Sequence, residues 1–273
     1  MSALLRFPGF KYKAFTLSYD DGSIHDIKLS DTMAAHGVKG TFNINSANIG
    51  KPGRLTADQI RTLLLDRGME VAAHGERHLS LAAVDSAVAM RDVINDRVAL
   101  EKEFGIIIKG MAYANGSVSD DIATMLRLAG IEHCRTTVPT LSLDIPTDWL
   151  RAGATCHHNH PRLMEMAKNL IDLPLRDYYW AKRARLLYVW GHSHEFNNNN
   201  DWHIIEELLD YVGGRDDVWY ATLSEIYEYT AAYNALRHSA DDSMIHNPTA
   251  TDVYVHHFGK DVLIPAGKTV SLV

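Results

Sequence analysis

The sequence predicts an α/β fold: a distorted (β/α) barrel of about seven or eight strands with a small C-terminal β appendage. Short strand-like runs alternate with longer helical patterns, which is typical of βα units and a parallel sheet or barrel. So many strand candidates with helices between them favour a closed or nearly closed barrel over an open doubly wound sheet. No glycine-rich dinucleotide or P-loop fingerprint follows any of these strand candidates, which argues against a nucleotide fold.

The elements follow one another in chain order. The predicted strands are KAFTLSY at 13–19, GTFNIN at 40–45, MEVAAH at 69–74, KGMAY at 109–113, IEHCRTT at 131–137, GATCHH at 153–158, RLLYVWGH at 185–192 and VWYATL at 218–223. The predicted helices cover 25–36, 56–67, about 82–103, 118–129, 161–171, 201–212 and 223–236. The four asparagines at 197–200 predict a loop that caps the helix starting near Asp201.

The pattern changes after residue 238. Two or three β runs follow, punctuated by Phe-Gly-Lys and Pro-Ala-Gly-Lys, and their short connections predict antiparallel pairing. We therefore expect a barrel domain over 1–237 and a small β extension over 238–273.

The composition indicates a globular protein and argues against two classes of partner, nucleic acids and membranes. Apolar residues make up 46% of the 273 residues and charged residues 22%, which is ordinary for a globular protein. The 27 basic and 34 acidic side chains give a net charge of -7, so we expect no nucleic-acid partner. No apolar run is long enough to span a bilayer, so we expect no membrane partner either.

Two further features bear on the cellular location. Cys134 and Cys156 cannot form a disulfide framework, and each lies in a strand-like run where a small buried side chain is the commoner role. The first fifteen residues contain no hydrophobic stretch or cleavage site typical of a signal peptide, which favours the cytoplasm and leaves an exported longer form open. Nothing in the sequence indicates the oligomeric state.

Asp20 and Asp21 follow the first barrel strand, and His74 and His78 follow the third. Each pair also has a structural explanation, a solvated turn for the aspartates and surface or core positions for the histidines. Catalytic residues of such barrels gather at the carboxyl ends of the strands. One carboxylate and two imidazoles from two strand ends would form a facial set of three ligands with positions left for water or substrate.

Further candidates surround this set. The run CHHNH at 156–160 follows another strand and could line a pocket, supply an extra metal ligand, or form an ordinary loop. Tyr113, Trp149 and Trp190 could stack on a sugar ring or pack in the core. Glu195, like Glu76, is interpreted as solvated or as a partner of a nearby histidine.

On these residues the chain resembles the polysaccharide deacetylase family of carbohydrate esterases, which remove acetyl groups from N-acetylated sugars. SYDDG at 18–22 resembles the first motif of the family, which implies that Asp20 is the general base and Asp21 a metal ligand. HGERH at 74–78 resembles the second motif, in which both histidines bind the metal.

MAYANG at 111–116 occupies the place of the third motif, a loop that in the family helps to bind the oxyanion through a backbone N–H; the resemblance implies this role for the N–H of Asn115. Ala112 stands where the family usually has an arginine that orients the catalytic aspartate, and Asn115 stands where it has a tyrosine. Some branches of the family carry such a substitution. These departures bear on substrate class and rate more than on reaction type.

The fourth and fifth motifs complete the resemblance. TDWL at 147–150 resembles the fourth, which implies that Trp149 forms a pocket wall. LLYVWGHSHEF at 186–196 resembles the fifth, in which a strand delivers a histidine general acid. We favour His192 because it follows the strand directly, although His194 points to the same side if the chain stays extended.

The resemblance implies a metal-dependent hydrolase that removes acetyl groups from an N-acetylated or O-acetylated carbohydrate. The donor set suits zinc, and iron, cobalt, nickel or manganese could occupy the same ligands. Two alternatives stay open: an amidohydrolase of the same fold acting on a small non-sugar amide, and a carbohydrate-binding barrel without activity. The sequence does not identify the sugar or its length.

Overall fold

A parallel β-sheet curled into a distorted barrel forms the centre of the fold, as the sequence predicts. The computed structural model describes residues 3–172 and 183–272. In this part of the chain the strands are β1 (Ala3–Arg6), β2 (Lys13–Asp20), β3 (Gly40–Ile44), β4 (Glu70–Ala73), β5 (Gly110–Ala112), β6 (His133–Thr136), β7 (Ala152–Gly153), β8 (Cys156–His157), β9 (Arg185–Gly191), β10 (Val218–Tyr220), β11 (Arg237–His238), β12 (Met244–His246), β13 (Val253–His257), β14 (Lys260–Ile264) and β15 (Thr269–Ser271).

The helices pack around this sheet. Over the same described ranges they are α1 (Asp26–Ala35), α2 (Ala57–Leu63), α3 (Ser86–Phe104), α4 (Asp120–Leu128), α5 (Leu163–Ile171), α6 (Ser193–Asn199), α7 (His203–Val212) and α8 (Leu223–Asn234). No helix among the described residues has both the length and the apolar content needed to cross a membrane.

The strands of the barrel run in the order β7-β6-β5-β4-β3-β2-β9-β8, and every pair is parallel. Strand β10 pairs with the beginning of β2, where β3 does not reach. The two ends of the order, β7 and β8, are separated in the chain by only Ala154 and Thr155. The continuous backbone therefore connects the two ends of the sheet.

Strand β2 shows how the sequence produces a buried barrel strand. All eight of its residues are buried, as expected for a parallel strand covered on both faces. Phe15, Leu17 and Tyr19 belong to the main hydrophobic core. The alternate residues Ser18 and Asp20 instead contact polar side chains of β3 and β6, so alternation along β2 separates an apolar face from a polar one.

Several helix starts follow from capping residues. Thr222 and Glu225 form a capping box at α8, and Thr56 and Gln59 form one at α2. Helix α6 corrects the sequence analysis, since Asn197 to Asn199 are helical rather than part of a loop. Asn200 takes the left-handed conformation that ends this helix, with φ of 55°.

Helix α8 is attached to the strands by a polar cluster around Glu70. The Glu70 carboxylate accepts hydrogen bonds from the Ser224 hydroxyl (2.5 Å), the Ser224 backbone N–H (2.9 Å) and the Thr41 hydroxyl (2.7 Å), and it lies 3.2 Å from Nε2 of His133. The nearby charge of His133 and the hydrogen bonds outweigh the effect of burial and lower the pKa of Glu70 to about 2.

The C-terminal strands are antiparallel, as predicted, and form two small sheets, β11-β12-β15 and β1-β13-β14. The second sheet includes the N-terminal strand β1, which pairs with β13. The Tyr229 hydroxyl on α8 donates to the Arg6 carbonyl (2.5 Å) and accepts from the Tyr254 N–H (2.9 Å). The division at residues 237 and 238 stays a prediction.

Candidate active site and metal centre

Asp20 lies at the carboxyl end of β2 and is 2% exposed. The Asn43 side-chain amide on the adjacent strand β3 donates to its Oδ1 atom at 2.8 Å. The Arg135 guanidinium on β6 donates to its Oδ2 atom and also lies 3.3 Å from the Ser18 hydroxyl. Both oxygens of this carboxylate therefore have a fixed partner.

Asp21 follows directly and has a left-handed backbone conformation, with φ of 81°. In a continuing extended strand, two adjacent carboxylates would point to opposite faces of the sheet. The structure instead brings both within 4 Å of Nε2 of His74, at 3.9 Å for Asp20 and 3.7 Å for Asp21. The backbone reversal explains the difference, because alternation holds only while the chain stays extended.

His74 follows β4 and is 1% exposed. Its ring atom Nδ1 lies 2.9 Å from the Ala112 carbonyl, which can only accept, so Nδ1 carries the proton and Nε2 keeps its lone pair. The backbone N–H of His74 donates to the Asp96 carboxylate at 2.9 Å. Nε2 itself is buried and has no hydrogen-bond partner within residues 3–172 and 183–272.

His78 completes the group from the loop after β4. Its Nε2 atom lies 3.5 Å from Oδ1 of Asp21. The loop depends on Gly75, which has φ of +80° and at which a Cβ atom would lie 2.7 Å from the Asp92 carboxylate. Because a side chain at Gly75 would strain the turn and collide with Asp92, this loop requires glycine.

Asp21, His74 and His78 thus form a group that could hold a metal ion, with one ligand atom of each within 4.8 Å of the others. The separations of 3.5 and 3.7 Å exceed hydrogen-bond length but fit two ligands of one ion. The buried, unpartnered Nε2 of His74 is the atom such an ion would bind. The residues present therefore fit a divalent metal.

Electrostatics favour an ionised Asp20 beside a neutral His74. Burial alone raises the pKa of Asp20, but the charge and hydrogen bond of Arg135 and the charge of His192 outweigh it and lower that pKa. Burial lowers the pKa of His74, more than the nearby aspartates raise it. A carboxylate and an unprotonated imidazole are the forms that act as a base and as a metal ligand.

His192 follows β9, and its Nε2 atom lies 3.9 Å from Oδ2 of Asp20. Its Nδ1 atom lies 3.0 Å from the Glu195 carboxylate and donates to it. His194 has its ring 5.2 Å from that of His192, but helix α6 begins at Ser193. The chain is therefore not extended from His192 to His194. The condition under which the two side chains would point to the same side is not met.

Arg135 is the principal residue that sequence analysis missed. It is fully buried, and its guanidinium lies 4.2 Å from the ring centroid of Trp190. In the sheet register Arg135 lies opposite Ala112, the position at which the resemblance leads us to expect an arginine. A buried charge needs a partner, so the arginine in the apolar run IEHCRTT was the available signal.

Arg54 was also missed. It donates to the Asp21 carbonyl at 2.8 Å and lies 3.5 Å from the Asp21 carboxylate. Its position in a polar loop before α2 carries no periodic signal, so only the folded chain brings it to the site.

Two of the predicted sugar-stacking rings lie in the core. Tyr113 is 1% exposed and its hydroxyl donates to the Leu150 carbonyl at 2.8 Å. Trp190 is 8% exposed and contacts Arg135. Burial leaves too little of either ring face for a sugar, so of the two alternatives core packing holds for both residues.

The described contacts of Trp149 and Asn115 do not include Asp20, Asp21, His74 or His78. The Trp149 ring lies edge-on to Tyr227 on α8, with centroids 5.4 Å apart. Asn115 lies in the exposed turn after β5, with φ of 57°, and its side chain donates to the Ser80 hydroxyl at 3.0 Å. Their roles in substrate and oxyanion binding stay predictions.

A family model confirms the resemblance over part of the chain. Residues 9–134 match the model described as polysaccharide deacetylase, a range that includes Asp20, Asp21, His74, His78 and Asn115. No curated protein sequence matches the chain.

Solved structures agree with this fold. A Mycobacterium smegmatis protein assigned to the polysaccharide deacetylases superposes with a TM-score of 0.62 at 16% identity, over 85% of this chain and 94% of that one. The Xyl-CE4 domain of a multidomain xylanase from the hindgut metagenome of Trinervitermes trinervoides gives 0.53 at 14% identity, over 81% and 92%. A family 4 carbohydrate esterase from Streptomyces lividans, in complex with acetate, gives 0.50 at 13% identity, over 77% and 92%. At sequence identities of 13–16%, these superpositions establish the fold alone.

Proposed function

We propose that the chain is a metal-dependent hydrolase that removes acetyl groups from an N-acetylated or O-acetylated carbohydrate. One observation carries the proposal: Asp21, His74 and His78 converge beside the buried Asp20, and Nε2 of His192 lies 3.9 Å from Oδ2 of the same carboxylate. The family match over residues 9–134 supports the reaction class.

Asp21, His74 and His78 would hold the metal, most simply zinc, with iron, cobalt, nickel or manganese as alternatives. Bound there, a divalent ion supplies Lewis acidity toward a carbonyl oxygen and acidifies water. The Nδ1 bond from His74 to the Ala112 carbonyl orients its ring so that Nε2 faces the other ligands.

Asp20 is the general base in this proposal. As water attacks the acetyl carbonyl, a proton of the water passes to the carboxylate that Arg135 and Asn43 hold in place. The backbone N–H of Asn115 is assigned to the oxyanion, in keeping with its turn after β5.

His192 is the general acid. Its Nδ1–H donates to Glu195, which orients the ring and leaves Nε2 facing Asp20. Burial lowers the pKa of His192, but the hydrogen bond to Glu195 and the charge of Asp20 outweigh this, so that the pKa is raised. A protonated Nε2 gives its proton to the departing nitrogen or oxygen as the bond to the acetyl carbon breaks, leaving acetate and the free amine or alcohol.

A second candidate is an amidohydrolase of the same fold acting on a small non-sugar amide. The burial of Tyr113 and Trp190 favours it, because the chain then offers fewer aromatic faces to a sugar ring than the sequence predicted. The same acid, base and ligands would serve both reactions.

Acetate release from N-acetylated sugars, O-acetylated sugars and small acetamides, measured with and without a chelator, tests the proposal. We expect release from at least one acetylated sugar and its loss on chelation. Release from acetamides alone would support the second candidate. Absence of release from every substrate by protein that contains metal would contradict hydrolysis and support a barrel that only binds carbohydrate.

A further inference from the structure

A second group of histidines and a carboxylate lies outside the ligands assigned above. It contains His157 at the end of β8, the next residue His158, and Glu195 on α6. One ligand atom of each lies within 4.8 Å of the others. The group shares no residue with Asp21, His74 and His78.

The contacts of this group have the spacing of ligands around one ion. Oε2 of Glu195 lies 3.1 Å from Nε2 of His157 and 3.0 Å from Nε2 of His158. Two ligands at tetrahedral positions, each about 2.0–2.1 Å from a zinc ion, lie about 3.3 Å apart. Hydrogen bonds have similar lengths, so distance alone does not separate the two explanations.

Hydrogen-bond geometry separates them. Oε2 of Glu195 and both ring nitrogens of His158 are buried and have no hydrogen-bond partner among the described residues, although Nε2 and Oε2 are close. The His158 ring is 1% exposed and stacks on Phe196, with centroids 4.1 Å apart. A polar side chain this deeply buried without a partner is costly unless something else binds it.

The ring of His158 packs directly against the backbone of Gly191. A Cβ atom on Gly191 would lie 2.0 Å from Nδ1 of His158, so only glycine at 191 permits the observed ring position. The tight fit against Gly191 and the buried ring nitrogens favour a ligand role over a solvated histidine.

We propose that His157, His158 and Glu195 bind a second divalent transition-metal ion, of the zinc class. His157 now accepts a hydrogen bond at Nδ1 from the Asn159 N–H (3.2 Å), so binding through Nε2 moves its proton to Nδ1 and releases that bond. Asn159 is exposed, and water can replace the lost partner. The other carboxylate oxygen, Oε1, stays bonded to His192 at 3.0 Å.

Metal content of the full chain tests the site. The protein is stripped with a chelator, equilibrated with Zn²⁺, freed of excess ion and analysed by mass spectrometry, with circular dichroism as the folding check. We expect two equivalents for the unmodified chain and one for His157→Ala and for Glu195→Gln, whose side chains are about a quarter exposed and so tolerate change. His160→Ala, in the same segment, is the matched control and should keep two.

His78→Ala separates this site from the first one. His78→Ala should retain one equivalent of Zn²⁺, and the double variant His78→Ala/His157→Ala should retain none. This result supports the second site, whether or not the chain releases acetate. The proposal of a second site would be overturned if the unmodified chain bound one equivalent of Zn²⁺ that His78→Ala lost and His157→Ala kept. Cobalt absorption spectra of His78→Ala give an independent readout, because tetrahedral Co²⁺ should appear there and vanish with His157→Ala.

Discussion

The guanidinium of Arg135 on β6 donates to the carboxylate of Asp20 on β2, although the two residues are 115 positions apart in the chain. Arg135 lies opposite Ala112 in the sheet, so the positive charge beside the proposed general base comes from β6, the strand next to β5. Arg135 therefore supplies from β6 a guanidinium that Ala112 on β5 cannot.

Replacing Arg135 should impair the general base. In Arg135→Ala the carboxylate of Asp20 loses its charged partner, and we expect kcat for acetate release to fall about 10²- to 10⁴-fold, the usual contribution of a positioned base. Steady-state kinetics measure the loss. Arg135→Lys, which keeps the charge and loses the planar fork, should retain part of the rate.

A stability measurement must accompany these kinetics, because an unpaired buried carboxylate costs about 3–5 kcal/mol. The double variant Ala112→Arg/Arg135→Ala provides the positive control, since it returns a guanidinium from the facing register position and should recover part of kcat. A folded Arg135→Ala protein with unchanged kcat would show that Asp20 does not depend on this partner.

His78→Ala should lower metal content by one equivalent and abolish turnover, because it removes one of three ligands from the first group. His78 is the most exposed of the three, with 31% of its side chain accessible, so this change should disturb folding least. Metal analysis and acetate release on the same sample measure both effects. The exposed His203→Ala is the control and should leave both unchanged. Turnover retained without metal would contradict the assignment.

Glu70 should make stability depend on pH in the acid range. Its folded pKa of about 2 lies below the ordinary 4.5, so its contribution is complete above pH 4.5 and is lost as the pH falls toward 2. The shift corresponds to at most about 3 kcal/mol. Urea unfolding of Glu70→Gln should show that deficit at pH 7 and a shrinking deficit between pH 4.5 and 2.

The exposed Glu228→Gln is the control for this series. Its partner Lys109 is also at the surface, and a surface ion pair contributes about 0–1 kcal/mol, so its deficit should be small. A Glu70→Gln deficit that does not change with pH would show that the contacts matter only as hydrogen bonds.

Tyr229→Phe should loosen the attachment of the N-terminal and C-terminal strands to α8. The change removes the buried hydroxyl that bonds both the Arg6 carbonyl and the Tyr254 N–H, and we expect a loss of about 1–3 kcal/mol in the free energy of unfolding. Tyr211→Phe removes an exposed hydroxyl bonded to Asp172 and should cost less. Equal losses in the two variants would mean that burial of the Tyr229 bonds contributes nothing.

The strands and helices of the barrel could be predicted because their patterns are local. The run KAFTLSY carries its apolar face in every second residue and lies within β2, and α4 begins where Ser119 caps it and Asp120 and Asp121 occupy its first turn. Helix α6 was missed, since its Asn-rich sequence has low helix propensity and folds as a helix against the rest of the chain.

The amino-acid sequence alone determined the barrel of alternating strands and helices and placed Asp20, Asp21, His74, His78 and His192 at strand ends, because side-chain periodicity and turn chemistry act over a few residues. The tertiary structure decided which groups meet: Arg135 with Asp20, Glu195 with His192 and the histidines at 157 and 158, and Tyr113 with the core. Those contacts depend on the curl and register of the sheet, which bring distant segments together and which no local pattern encodes.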